Sequence, residues 1–113
     1  MKWQIQGQHL RLRVDEEELA LLLAGKVISD STAFATAFVI RYAVTLGDGE
    51  RPELHGDAAD WRLSLPAEAV RGLAARLPSR DGLAFDVSTS AQDPLELLFD
   101  VDVRDSTRKR YPR

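Results

Sequence analysis

Two stretches of this chain carry the same pattern at half-chain spacing. Residues 10–23 read LRLRVDEEELALLL and residues 61–74 read WRLSLPAEAVRGLA, 51 positions apart in a chain of 113. In each, an alternating apolar/polar run, the mark of a strand with one buried face, leads directly into a helix start. Apolar residues then recur at helical spacing, at Leu19, Leu22 and Leu23 in the first and at Val70, Leu73 and Leu77 in the second. Self-similarity at a fixed offset constrains a fold more than any single residue does. It predicts two copies of one supersecondary unit, related by a rough twofold rotation.

The first copy opens with two alternating runs around Trp3-Gln4-Ile5 and Leu10–Val14, with Gly7 in the hairpin turn between them. Asp15 offers an N-cap oxygen and Glu18, three residues on, completes a capping box; Gly25 is a C-terminal stop. A helix over residues 16–24 follows. Residues 26–31 read as a weak strand and 35–46 as a long one, with Phe38, Ile40, Tyr42, Val44 and Leu46 on one face. The stretch Gly47 to Pro52 is the candidate linker. In the second copy, Glu53-Leu54-His55-Gly56 echoes Ile5-Gln6-Gly7, and two extra residues are expected in a loop at residues 57–60. Pro66, near the first helical position, starts a helix to about Leu77, just before Pro78. Strands are read at Leu83, Phe85, Val87 and at Leu95 to Val103, with Gln92-Asp93-Pro94 turning between them.

Each half is thus ββαββ, and the fold class is α+β with eight strands and two helices. Short, sequence-adjacent strands favour antiparallel hairpins. Two helices cannot cover both faces of so large a sheet, so it is expected to curl into a barrel or fold into two layers. The domain spans residues 1–103, with repeat one at 1–46 and repeat two at 52–103. The expected core comprises Leu10, Leu12, Val14, Leu19, Leu22, Leu23, Phe38, Ile40, Tyr42, Leu63, Leu65, Val70, Leu73, Phe85, Leu97, Phe99 and Val101. Trp3 and Trp61 are expected in the core or at its rim.

With 44% hydrophobic and 29% charged residues, the chain has the balance of a globular domain rather than a disordered segment. It has no cysteine, which removes disulfides, thiol nucleophiles and cysteine-bound metals from consideration and fits the cytoplasm. No apolar run approaches the ~20 residues needed to span a bilayer. The net charge of −3 is uneven. Residues 104–113, RDSTRKRYPR, hold five of 15 basic residues and one of 18 acidic ones, leaving 10 basic against 17 acidic elsewhere. That tail reads as a solvated terminus, because the acidic body opposes phosphate binding, so nucleic acid is an unfavoured partner.

The polar strand faces carry the candidate site. Arg11, Arg13, Arg41 and Arg62 project opposite the apolar stripe, as do Asp86, Glu96, Asp100 and Asp102. Turned inward, the arginines could bind phosphate through bidentate contacts, and Glu96, Asp100 and Asp102 could hold a divalent cation. Turned outward, they are surface ion pairs, the commoner arrangement. His9 and His55 each lie near a hairpin turn, with no spacing that forces them together. No G-x-S-x-G, phosphate loop or H-E-x-x-H occurs, and no cofactor is expected.

The chain resembles a family of small, uncharacterised bacterial proteins of unknown function. The likeness rests on Met1-Lys2, Gly7, Leu10-Arg11-Leu12-Arg13-Val14 with Glu18-Leu19, and Leu63-Ser64-Leu65-Pro66. Members often end in a lysine–aspartate–phenylalanine segment followed by a cysteine, where this chain has Asp100-Val101-Asp102-Val103. The resemblance implies fold and bacterial origin and brings no activity with it. At fold level the pattern is also similar to the triphosphate tunnel phosphohydrolases. Their Glu-x-Glu-x-Lys strand is replaced here by Lys2-Trp3-Gln4-Ile5-Gln6.

The expectation is a small non-enzymatic domain of the bacterial cytoplasm that binds a protein partner or itself. The alternative is an anion-binding or phosphate-hydrolysing barrel built on the four arginines. Weak nucleic-acid binding through the tail comes third.

Overall fold

The computed structural model describes residues 1–79, 81–87 and 94–103. Ten elements follow in order: β1 (Lys2–Gln6), β2 (His9–Asp15), α1 (Glu16–Leu23), β3 (Ile28–Phe34), β4 (Phe38–Gly47), β5 (Glu53–Asp57), β6 (Asp60–Pro66), α2 (Ala67–Ala75), β7 (Leu83–Asp86) and β8 (Glu96–Asp102). The strands form two four-stranded sheets, ordered β1-β2-β8-β7 and β3-β4-β6-β5. The fold is therefore α+β in two sheets, each with open edges, rather than a closed barrel.

Hairpin pairing accounts for β1·β2, β3·β4, β5·β6 and β7·β8, all antiparallel. The two remaining pairings, β2·β8 and β4·β6, are parallel and join the halves of the chain. Those central parallel pairs hold the centre of the core. Leu12 lies beside Phe99 in the first sheet and Val44 beside Leu63 in the second, and all four side chains are buried. Leu19 and Leu22 of α1 and Val70 and Leu73 of α2 complete a single cluster with them. Because the inner faces of both sheets feed one cluster, their outer faces point away from each other.

The helix starts follow from local chemistry. Asp15 Oδ1 accepts from the Glu18 backbone N–H at 2.7 Å, and Glu18 Oε1 accepts from the Asp15 N–H at 3.0 Å, the expected capping box. The Met1 ammonium reaches the same Glu18 carboxylate at 2.7 and 2.8 Å, tying the edge of the first sheet to the start of α1. At the other end Gly25 adopts φ +82°. There the Lys26 and Gly25 N–H groups donate to the carbonyls of Leu21 and Leu22, both at 3.0 Å, which is a Schellman closure. Helix α2 has no such cap: Pro66 precedes it with no side-chain bond. It ends at Ala75, two residues short of Leu77.

Several expectations are corrected. The weak strand extends to Phe34 and the chain turns at residues 35–37, so β4 starts at Phe38 and β3·β4 is a tight hairpin. Its outer part, Thr32 to Ile40, extends past the start of β6, which pairs only from Arg41 onward. Phe38 is therefore exposed, and Ile40 and Tyr42 are half-buried rather than core. Leu23 is exposed at the last turn of α1, Phe85 is half-buried, and Ile28 and Val44 join the core instead.

The second hairpin turns through Ala58 and Ala59 between Asp57 and Asp60, as the first does through Gly7 and Gln8 between Gln6 and His9. The turns are of equal length, so no insertion exists at residues 57–60, and Gly56 sits inside β5 rather than in the turn. The turn at residues 92–93 and the tail at 104–113 lie outside the described residues.

Candidate functional site

Both helices pack at the end where β2 and β6 finish, α1 against strands of both sheets and α2 likewise. The turns of the β1·β2 and β5·β6 hairpins mark the opposite end, which no helix of the described residues covers. There the inner faces of the two sheets part into a cleft of about 350 Å³, lined by Ile5, His9, Leu10, Leu54, Trp61 and Leu95 among others. Ile5 is 66% exposed and Leu54 40% exposed, although both alternate in phase with the core.

Three aromatic rings stand behind the cleft. Trp3 of β1 meets Trp61 of β6 edge to face, with centroids 5.5 Å apart, and meets Tyr42 of β4 at 6.0 Å. Trp61 and Tyr42 are 6.2 Å apart. Edge-to-face pairs gain about 0.5–1.5 kcal/mol beyond burial, so this cluster clamps one sheet on the other. Trp61 donates its indole N–H to the Ala58 carbonyl at 2.9 Å, and the Tyr42 hydroxyl bonds Thr32 Oγ1 at 2.6 Å. Trp3 Nε1 is shielded from solvent with no acceptor among the described residues.

Opposite Trp61 stands Gly56, at φ +99°. A Cβ there would run into the Asp60 carbonyl oxygen, so only glycine lets the two strands approach. The histidines flank the cleft without converging on one another. His9 Nδ1 lies 3.0 Å from Glu96, and His55 Nε2 lies 3.0 Å from Glu53, all well exposed. Among the described residues, no three His, Asp or Glu side chains are grouped to hold a metal ion.

The four arginines of the sequence reading fall into two pairs on different sheets. Arg11 and Arg13 share Asp100: Arg11 Nη2 donates to Oδ2 at 2.6 Å and Arg13 Nε lies 3.5 Å from Oδ1. The Asp100 side chain is only 13% exposed, so this trio is a partly buried ionic cluster. Arg62 donates to Asp60 at 2.9 Å on the second sheet. The hydrogen bond and charge of Asp60 raise its guanidinium pKa further. Arg41 stands on that same sheet, in register with Ser31 and Asp60.

Glu96, Asp100 and Asp102 share the outer face of β8 at i, i+4 and i+6. Glu96 faces His9, Asp100 its arginines, and Asp102 pairs in register with Asp15. A broad hollow of about 1240 Å³ along this sheet includes Gln4, Gln6, Arg11, Asp86 and Glu96. The structure does not bring the arginines and carboxylates into one enclosed cavity.

Ile5 and Leu54 were absent from the sequence-derived site. Their signal was an apolar residue in a short run that neighbours a glycine, at Ile5-Gln6-Gly7 and Leu54-His55-Gly56. Reading it required knowing that both are edge strands with no described helix above them.

A family model described as a family of unknown function (DUF7009) matches residues 1–108 of the chain. No curated protein and no solved structure matches. No described helix is long and apolar enough to cross a membrane.

Proposed function

For this chain, which belongs to the DUF7009 family of unknown function, we propose a non-enzymatic role as a small binding domain of the bacterial cytoplasm. Its partner is a protein that inserts apolar side chains of an extended segment between the two sheets. The observation that carries this reading is the pair Ile5 and Leu54, large apolar side chains exposed on opposite walls of one cleft. Apolar groups in phase with a core yet left in water favour a partner that covers them.

A small ligand is the poorer fit. Small-molecule sites fix their ligands with a few placed polar groups, whereas the histidines here are exposed and turned to neighbouring glutamates. The cleft is flanked by β1 and β5, so a segment lying in it meets apolar side chains from both sheets. Phosphate hydrolysis would need the four arginines on one site, and they stand on two separate sheets.

We also read the fold as a duplication. Shifting each strand number by four carries the order β1-β2-β8-β7 into β5-β6-β4-β3, the second sheet read backwards. Under that shift Leu12·Phe99 corresponds to Leu63·Val44.

The test is to pan a random peptide library on the purified domain and, in parallel, on the double variant Ile5→Asp, Leu54→Asp. Peptides with apolar anchors should be enriched, bind at micromolar strength and perturb Trp3 and Trp61 emission, and the variant should lose them. Equal enrichment on both proteins, or none on either, would sink the reading.

A further inference from the structure

Four strands form the sheet edges, and three of them are poor templates for further pairing. β1 has five residues and begins with Lys2; β5 has five, with Gly56 inside it and acids at both ends; β7 has four. Short length, charge and glycine are the usual means of blunting an edge. β3 differs. It runs seven residues, ISDSTAF, with no proline, glycine or lysine, and all but Ile28 are exposed.

Its hydrogen-bonding phase can be read from two contacts. The Arg41 N–H donates to the Ala59 carbonyl at 2.8 Å, away from β3, so its partner Ser31 also has its backbone groups turned away from β4. The Ser31 N–H instead takes the Asp30 carboxylate at 2.8 Å. That carboxylate sits where the carbonyl of an added strand would be. Ser29, Ser31 and Ala33 therefore present the outward donors and acceptors of this edge.

We propose that β3 pairs with β3 of a second copy of this chain, antiparallel and with the twofold axis at Ser31, joining the two copies in one eight-stranded sheet. The sequence of the strand selects that register. With the axis at Ser31, all seven residues pair, outward groups meet outward groups, and Asp30 faces Thr32 of the other copy. An axis at Asp30 opposes two like charges, which is destabilising. An axis at Thr32 leaves only five residues paired, and an axis between residues puts inner faces against outer ones.

Exposed apolar residues stand at both ends of the strand. The tip of the hairpin carries Phe34 and Phe38, stacked at 4.8 Å and exposed by 46% and 54%. Val27, immediately before β3, is 60% exposed at the foot. Antiparallel pairing lays each tip against the foot of the other copy. The contact uses far fewer than the ~20–30 residues per side of a standard interface, so the dimer is weak and concentration-dependent.

Sedimentation velocity of the full chain from about 5 µM to 1 mM should show a shift from monomer to dimer. Ser31→Pro, which removes an outward donor, and Phe34→Asp should each abolish that shift, and Leu54→Asp in the cleft should preserve it. Because the chain contains no cysteine, single cysteines report the register directly. Paired residues of this kind lie ~5.5 Å apart at Cα, within disulfide reach. Ser31→Cys should oxidise to a covalent dimer at least about tenfold faster than Ser29→Cys or Ala33→Cys alone. A mixture of those two should crosslink to each other.

A chain that stays monomeric to 1 mM overturns the proposal. So does a dimer lost on Leu54→Asp but kept on Ser31→Pro, or equal crosslinking at the three positions. The cysteine series decides the matter even where the proline variant fails to fold. Peptide binding in the cleft is read independently of any of these results.

Discussion

Phe99 and Phe38 lie on the inner faces of their sheets, both in phase with the apolar stripe, and meet opposite fates. Phe99 of β8 is fully buried beside Leu12, whereas Phe38 of β4 is 54% exposed at the end of a hairpin. The difference lies in what stands across from each. β8 is flanked along its length by β2 and faces the helices. β4 begins three residues before its pairing with β6 starts, where among the described residues it pairs with β3 alone. Alternation sets which face a side chain takes, and the lengths of neighbouring strands set whether that face is covered.

The sharpest test of this contrast replaces each phenylalanine by alanine. Phe99→Ala should cost about 3–5 kcal/mol, as for a filled core position. Phe38→Ala should cost well under about 1 kcal/mol, since most of its surface already meets water. Urea unfolding at low protein concentration measures both. Equal losses would mean that the hairpin tip is packed as tightly as the sheet centre.

The outer faces differ in the same sense. Asp100 is held between Arg11 and Arg13 and largely shielded. Asp60 meets Arg62 in the open. Asp100→Ala strands two cations against partly buried surface and should cost about 1–3 kcal/mol. Asp60→Ala should leave the melting temperature unchanged, because exposed pairs are screened and mobile. A larger loss at Asp60 would reverse the assignment of the tighter face.

The helices give the smallest contrast. Asp15→Ala removes one half of the capping box of α1 and should cost ~1 kcal/mol in urea unfolding. Glu18 keeps its bonds from the residue-15 backbone N–H and the Met1 ammonium, so only the Asp15 half of the box is lost. Pro66 makes no side-chain cap on α2, so Pro66→Ala should cost less than Asp15→Ala. The reverse order would show that the rigid Pro66 backbone matters more to α2 than hydrogen bonding does to α1.

Reading the candidate site from sequence reached only part of the way. The alternating arginines and carboxylates were visible as polar faces, and the pairing of Arg11 with Asp100 on neighbouring strands was not. The two residues are 89 positions apart and become neighbours through a parallel pairing that no hairpin signal announces. The cleft was harder still, because the glycines that follow Ile5 and Leu54 mark short runs without saying that these runs lie at sheet edges. The echo of Gly7 in Gly56 also misled: their spacing suggested an insertion, and the register shows equal turns with the glycine inside the strand.

The sequence alone determined the units: strand hairpins, a boxed and glycine-closed α1, a second helix after Leu65-Pro66, and the buried alternates Leu10, Leu12, Val14, Leu63, Leu65, Leu97, Phe99 and Val101. Those depend on hydrogen bonds and periodicities spanning a few residues, so they are written in local order. Only the tertiary structure decided that each half contributes a hairpin to each sheet, that the sheets stay open, and that no helix of the described residues covers one end of the core. Those outcomes depend on which apolar faces meet across half the chain and on how far each strand outlasts its neighbour, and burial is settled only when the faces come together.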